Sequence, residues 1–368
     1  MSTTAPAAFS VGSATARPGK ITYGDLPVLD LPSGGQECLP VIIAQGRADG
    51  PTLWLTANIH GAELAGLPVI HRVLTADLVA ELRGTIVALP SLNPAGLRTA
   101  ERLPYYSNTD PNRLWPTERT VRQPTEPPPS PYEQIIEKVF AQFSRRADLV
   151  IDLHNAAIRT IPFTIIDRVL YRGDADRPRA RGLGERLNGL ANAFGISMVR
   201  EAVAERYITQ VLHRSVTGSA VNVLGIPAIT VELGMTGAVD PAAVEAGIAG
   251  VHNALRWARM LPGTPAPITA CPVVDLGYAT KRDDTARTRV AGIVAQQLLP
   301  GERFAEGQTL ATSVDLWGCP LPDSDITAPA DGWLIGWSNG LAKYAGQVVA
   351  ALAVRDDAPL VAAYPGES

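Results

Sequence analysis

The chain has 368 residues, 46% of them apolar and 18% charged, which is enough for two domains or one large one with additions and too apolar for a disordered chain. Its formal charge of −4 argues against the basic surface that nonspecific nucleic-acid binding requires. No apolar run approaches the roughly 18 residues that span a bilayer, and Cys38, Cys271 and Cys319, an odd number standing far apart with no C-x-x-C pair, argue against a disulfide scaffold and a cysteine zinc site.

Residues 1–20 are rich in Ala, Ser and Thr and lack the basic start and apolar centre of a signal peptide. They are expected to form a flexible tail on a cytoplasmic protein. Residues 21–45 mix short apolar runs with Pro and Gly, as strands at a sheet edge do. Thr52–Ala57 then reads as a buried strand, Gly66–Leu82 as a helix with apolar spacing at Leu67, Ile70, Val73, Leu74 and Leu78, and Thr85–Pro90 as a second buried strand. Strand, helix and strand in that order predict a βαβ unit of a parallel sheet.

Regularity stops between Asn93 and Pro131, where prolines crowd the chain; a loop of that length is usually functional or disordered. The earlier part is expected to be functional and the later part disordered. Tyr132–Arg146 reads as an amphipathic helix, Leu149–Leu153 as a strand, Ala180–Phe194 as a helix and Ile226–Val231 as another interior strand. Pro241–Met260 follows as a helix whose Asp240-Pro241 start suits a cap and a first turn. The Pro-rich stretch 261–267 is a linker. Beyond it, short strands punctuated by glycine predict a small all-β domain.

Only five histidines are present. His60 and Glu63 follow the Thr52–Ala57 strand, at the carboxyl end where open α/β sheets place their sites, and their spacing allows both to face one metal ion. His154 closes the strand Val150–Leu153 and supplies a third ligand, a set that suits zinc with an open position for water. Zinc lowers the pKa of bound water towards neutrality. A hydrolase of this kind also needs a carboxylate off the metal to move protons, and Glu232 stands at the end of the apolar run Ile229–Val231. Asp110-Pro111-Asn112-Arg113, with Arg98 and Arg102 before it, offers arginine forks for a carboxylate or an oxyanion. His71, His213 and His252 carry no motif, and Ser219 lacks the G-x-S-x-G elbow of a serine hydrolase.

Together these pieces resemble the succinylglutamate desuccinylase/aspartoacylase family of zinc carboxypeptidase-like hydrolases. The resemblance rests on five segments in the family's order: His60-Gly61-Ala62-Glu63-Leu64-Ala65-Gly66, Asn93-Pro94-Ala95, Asp110-Pro111-Asn112-Arg113, Asp152-Leu153-His154, and Gly225-Ile226-Pro227-Ala228 running to Glu232-Leu233-Gly234. It implies one zinc per subunit held by His60, Glu63 and His154, with Glu232 as general acid/base. It further implies that Asn112 and Arg113 bind the substrate carboxylate and that Arg102 polarises the scissile carbonyl, with Arg98 the second choice. Asp152 and Asp110 are candidates to orient the histidines, and Asn155–Phe163 to wall the acyl pocket.

The resulting expectation is an α/β fold: a mixed, largely parallel sheet flanked by helices, as in zinc carboxypeptidases, with a small C-terminal all-β, half-barrel-like domain. The boundaries are 1–20 tail, 21–262 catalytic domain and 270–362 β domain. That last region resembles a biotinyl/lipoyl-type half-barrel, but its nearest lysine, Lys343, lacks the carrier hairpin setting, so no covalent cofactor is expected; Tyr344 or Tyr278 is a candidate to reach the site's mouth. The activity expected is removal of an acyl group from a small N-acyl amino acid, with no nucleic-acid or membrane partner. A homo-oligomer is the base-rate expectation. A carboxypeptidase acting on short peptides and a non-catalytic binding protein are the alternatives.

Overall fold

The computed structural model describes residues 9–117, 127–156 and 158–366. Labelled in chain order, the strands that build the main sheet start with β1 (Lys20–Asp30), β2 (Gln36–Gln45), β3 (Ala48–Ala57) and β4 (Arg83–Leu89). They continue with β5 (Leu149–Ala156), β6 (Phe163–Ile166), β7 (Ser197–Arg200), β8 (Ala228–Met235), β9 (Thr280–Asp283), β10 (Arg303–Phe304), β11 (Gly332–Trp337) and β12 (Ala350–Arg355). Their spatial order is β10-β11-β12-β9-β7-β6-β8-β5-β3-β4-β2-β1. The centre, β4-β3-β5-β8, is parallel, and antiparallel pairs flank it. This is the mixed α/β sheet flanked by helices that was expected, parallel through its centre and again through β6-β7-β9, and antiparallel at its other pairs.

Helices cover the centre: α1 (Gly66–Val73), α2 (Ala76–Glu81), α3 (Pro94–Thr99), α4 (Pro131–Arg146), α5 (Arg177–Phe194) and α6 (Pro241–Trp257). Every residue of β5 is buried, as a strand covered on both faces requires. A Cβ on Gly66 would stand 2.7 Å from that of Ala57 and 2.9 Å from that of Leu153, so α1 starts in direct contact with β3 and β5. A capping box between Ser130 and Glu133 begins α4, and Asp240 caps α6 by accepting from the Ala242 amide. The helix expected over Gly66–Leu82 is two helices. Thr75 takes an extended conformation and its hydroxyl accepts from the Leu78 amide, which ends one helix and starts the next.

Two further departures from the sequence reading have physical causes. Within the segment expected to be a tail, Ser10–Val11 pairs with Ala14–Thr15, and Val11, Ala14 and Ala16 are buried against the core. Small residues fill that space without the long apolar run that would have announced it. Residues 1–8 of the tail and 118–126 of the proline-rich loop lie outside the described residues.

The C-terminal region divides in two. Gly292–Gln296, Thr309–Val314, Pro320–Thr327 and Ala342–Lys343 form their own four-stranded sheet, with Val294, Leu310, Leu334 and Leu352 in a core apart from the main one. The strands β9, β11 and β12 instead extend the main sheet, joined where Arg200 of β7 pairs with Lys281 of β9. A buried ion cluster strengthens the join: Arg168 reaches Asp356 at 3.0 Å and Arg200 reaches it at 3.2 Å. Removing one member strands buried charge, so Asp356→Ala lowers stability by about 3–5 kcal/mol in urea denaturation. A loss below about 1 kcal/mol would show the cluster to be incidental.

Candidate metal centre and active site

The parallel register brings the site together. Thr56 lies beside Asp152, Ala57 beside Leu153, and Glu232 beside His154, so the ends of β3, β5 and β8 share one edge. The strands run past the predicted ends, β5 to Ala156 and β8 to Met235, with an irregularity in register after Glu232.

After β3 the chain turns at Asn58, whose φ of 56° is left-handed. Asn58 tolerates that conformation better than most residues, and its side chain uses it. Its Nδ2 donates to the carbonyls of His60, Gly61 and Glu63 at 3.1, 3.0 and 3.0 Å, while its Oδ1 accepts from Ser91 Oγ at 2.7 Å. The turn thereby holds His60 and Glu63 on one side. A Cβ on Gly61 would meet the Gly96 carbonyl carbon at 2.0 Å, so only glycine lets this turn lie against α3.

Both imidazoles aim Nδ1 at Glu63: His60 Nδ1 is 2.7 Å from Oε1 and His154 Nδ1 is 2.9 Å from Oε2. Both Nε2 atoms are occupied on the far side of their rings, by Asp110 Oδ1 at 3.0 Å and Asp152 Oδ2 at 2.7 Å. Asp152 in turn accepts from Thr56 Oγ1 at 2.6 Å. With Nε2–H donating to a carboxylate, each Nδ1 could give up its proton and offer a lone pair to a metal between it and Glu63. The three side chains are buried, with ligand atoms within 4.8 Å of one another. Burial alone would raise the Glu63 carboxyl, but His154 and His60 outweigh it and hold Glu63 well below the usual carboxylate range. Two imidazole nitrogens and an ionised carboxylate oxygen are a donor set that fits zinc.

Asn155 is a support that the sequence did not mark. Its amide N–H donates to Glu63 Oε2 at 3.1 Å, its Oδ1 accepts from the Ala65 amide at 2.9 Å, and its Nδ2 donates to the Leu233 and Met235 carbonyls. It thus ties the loop after β3 to β5 and β8.

The cluster opens into a cavity of about 300 Å³ that is also lined by Arg102, Asn112, Arg113, Phe163 and Glu232. Glu232 Oε2 is buried without a hydrogen-bond partner among the described residues. Burial pushes the Glu232 carboxyl up to about 7, against the pull of His154 and with the push of Glu63. Arg113 is held within the short turn Pro111–Arg113 that Asp110 caps, and its Nη1 donates to the Asn112 carbonyl at 2.6 Å. Asn112 Oδ1 accepts from the Val216 amide at 2.9 Å. Arg102 is half-exposed and bound at 2.8 Å to Asp110 and at 3.3 Å to Glu63.

Seven of the eight predicted site residues therefore meet at one cavity. Arg98 does not. Its position on α3 turns it toward β2, where it pairs with Glu37 at 2.6 Å, and it does not line the cavity. Neither do Tyr278, whose ring carries the Arg355 guanidinium at 4.5 Å, and Tyr344, which is 77% exposed. The C-terminal strands contribute Arg282, Ile335 and Ala351 instead. Asn155, Ala156, Ile158 and Phe163 line the cavity, and Ala157 between them lies outside the described residues. Asp167 also lines the cavity, and the rule that located His60 does not reach it, because it follows β6, which runs antiparallel to β8.

A parallel-centred α/β sheet therefore gathers at its strand ends a His-Glu-His group that could hold a metal ion. Residues 49–258 match the family described as the Succinylglutamate desuccinylase/Aspartoacylase catalytic domain, and the chain belongs to that family. A curated relative, N-alpha-acetyl-L-2,4-diaminobutyric acid deacetylase of Halomonas elongata, is 23% identical over 315 residues, 83% of this chain and 82% of its own. Among solved structures, the product-bound ectoine utilization protein EutE (DoeB) of Ruegeria pomeroyi superimposes with a TM-score of 0.70 at 20% identity, covering 91% of this chain and 95% of that one. A succinylglutamate desuccinylase/aspartoacylase of Rhodobacter sphaeroides gives 0.67 at 22%, covering 92% and 96%. These likenesses establish the same fold.

Proposed function

We propose that this chain is a zinc-dependent amidohydrolase that removes the acyl group from a small N-acyl amino acid. The observation that carries the reading is Glu232, a buried carboxylate with one unpartnered oxygen, in the same cavity as His60, Glu63, His154 and Arg113. A binding protein has no use for that carboxylate, because burying it unpaired is costly. The family and the curated relative's name support the amide-hydrolase class.

His60, Glu63 and His154 would hold the zinc, which when bound acidifies water and polarises a carbonyl. Glu232 takes the proton of the attacking water and returns it to the departing nitrogen. Arg113, its turn fixed by Asp110 and Asn112, holds the substrate carboxylate with its guanidinium fork. Arg102, tethered by Asp110, faces the charge that develops on the carbonyl oxygen.

The test combines zinc analysis of the purified protein with turnover of Nα-acetyl amino acids, of the same compounds with the carboxylate amidated, and of dipeptides. The reading expects zinc near one per chain and about 10–100-fold lower kcat/KM without the carboxylate, a difference that Arg113→Gln erases. Absence of zinc, or no cleavage of any N-acyl compound, overturns it. Dipeptides cleaved faster than N-acyl amino acids would make the protein a peptidase.

A further inference from the structure

Most of the charged groups around the cavity pair off. Arg206 pairs with Asp284, Arg282 with Glu201 at 3.3 Å, and Arg102 with Asp110 and Glu63. Asp283 is bound by the amide and hydroxyl of Thr285. Apart from Glu232, which serves as acid/base, and the partly exposed Asp283, Arg113 and Asp167 remain, and among the described residues neither has an ion-pair partner. Asp167 is buried at the cavity wall and is held by neutral donors only: Tyr207 hydroxyl to Oδ1 at 2.7 Å, and the hydroxyl of Thr217. Its position is rigid. Tyr207 also receives Asn222 Nδ2 at 3.3 Å, and the next residue, Arg168, is clamped by the Glu201 and Ala202 carbonyls. Burial and the nearby Glu201 charge push the Asp167 carboxyl up to about 7, with Arg113 among the groups opposing them.

A substrate carboxylate on Arg113 removes the charge that offsets Asp167. A substrate with no other charge would then leave Asp167 either a buried, unbalanced anion or forced to take up a proton, and each is costly. One that also carries an ammonium group restores neutrality. We propose that Asp167 is a specificity-determining residue that selects Nα-acyl amino acids whose side chain ends in a cation, through a direct carboxylate–ammonium contact. The turnover arm of the test rests on the amidohydrolase reading; the binding arm does not.

The experiment compares Nα-acetyl-L-ornithine with its uncharged isostere Nα-acetyl-L-norleucine, the corresponding pairs one methylene shorter and longer, and Nα-acetyl-L-glutamate, on the zinc-loaded enzyme. The cationic member of at least one pair should exceed its isostere about 10–100-fold in kcat/KM, the range of a charged hydrogen bond, and the glutamate compound should be the poorest. Asp167→Asn should bring that ratio to within about threefold. Equal or reversed preference in wild type at every length, or a ratio retained by Asp167→Asn, overturns the proposal. If that variant fails to fold, the wild-type ratios decide. If no compound is hydrolysed, calorimetric binding of the same pairs to the protein as purified decides. Tighter cation binding that Asp167→Asn abolishes would uphold the selectivity while the hydrolase reading fails, and equal binding would end both.

Discussion

Glu232→Gln lowers kcat on an N-acyl amino acid by about 10²–10⁴-fold, while zinc content and KM stay close to wild type. Glutamine keeps the size of the side chain but cannot take a proton from water or hand one to an amine. The carboxylate lies outside the group that could hold a metal, and His60, Glu63 and His154 make their mutual contacts without it. Its unpartnered Oε2 means that little else in the fold depends on it.

The pH profile gives a second readout of the same group. Burial pushes Glu232 up to about 7, and a divalent ion beside it acts in the opposite direction. As pH falls below its pKa, the carboxyl gains a proton and no longer serves as base. Wild-type kcat/KM should therefore rise with pH along an acid limb centred at or below about 7, and Glu232→Gln should lose that limb. A variant retaining both rate and limb would remove Glu232 from the chemistry.

The fold was legible where the physics is local. Runs such as Leu53–Ala57, Ile86–Leu89 and Leu149–Leu153 are apolar because both faces of the central strands are covered, and the polar residues that interrupt or follow them had to be either costly or functional. That logic located His60, His154 and Glu232. It could not separate Arg98 from Arg102, because both sit in an irregular segment and a single turn of α3 sends one to Glu37 and leaves the other at the site.

Features made by pairing between distant segments were hidden for a different reason. Arg282 reaches the cavity only because β9 adds beside β7, a contact across some eighty residues of chain that no periodicity encodes. Asn155 lines the cavity, and in addition its backbone and both amide ends bind two other segments, the loop after β3 and β8. The short strands Phe163–Ile166 and Ser197–Arg200 are four residues each, too brief for alternation to declare itself.

His154→Ala should leave the protein with little zinc and no measurable turnover, even when excess zinc is supplied. Three protein ligands are the usual minimum for a catalytic zinc site, and this change leaves two. It also takes from the fully buried Asp152 its contact with the imidazole, leaving Thr56 Oγ1 as its remaining side-chain donor. The neighbouring change Asp152→Asn separates ligation from orientation. The imidazole stays, but the group fixing its Nε2–H becomes a weaker acceptor, so zinc affinity should fall about 10–100-fold. Unlike His154→Ala, that variant should recover activity as zinc is raised. Chelator competition measures both affinities. A wild-type zinc affinity in Asp152→Asn would reduce Asp152 to a packing partner, and full activity in His154→Ala would require the metal, if there is one, to sit elsewhere.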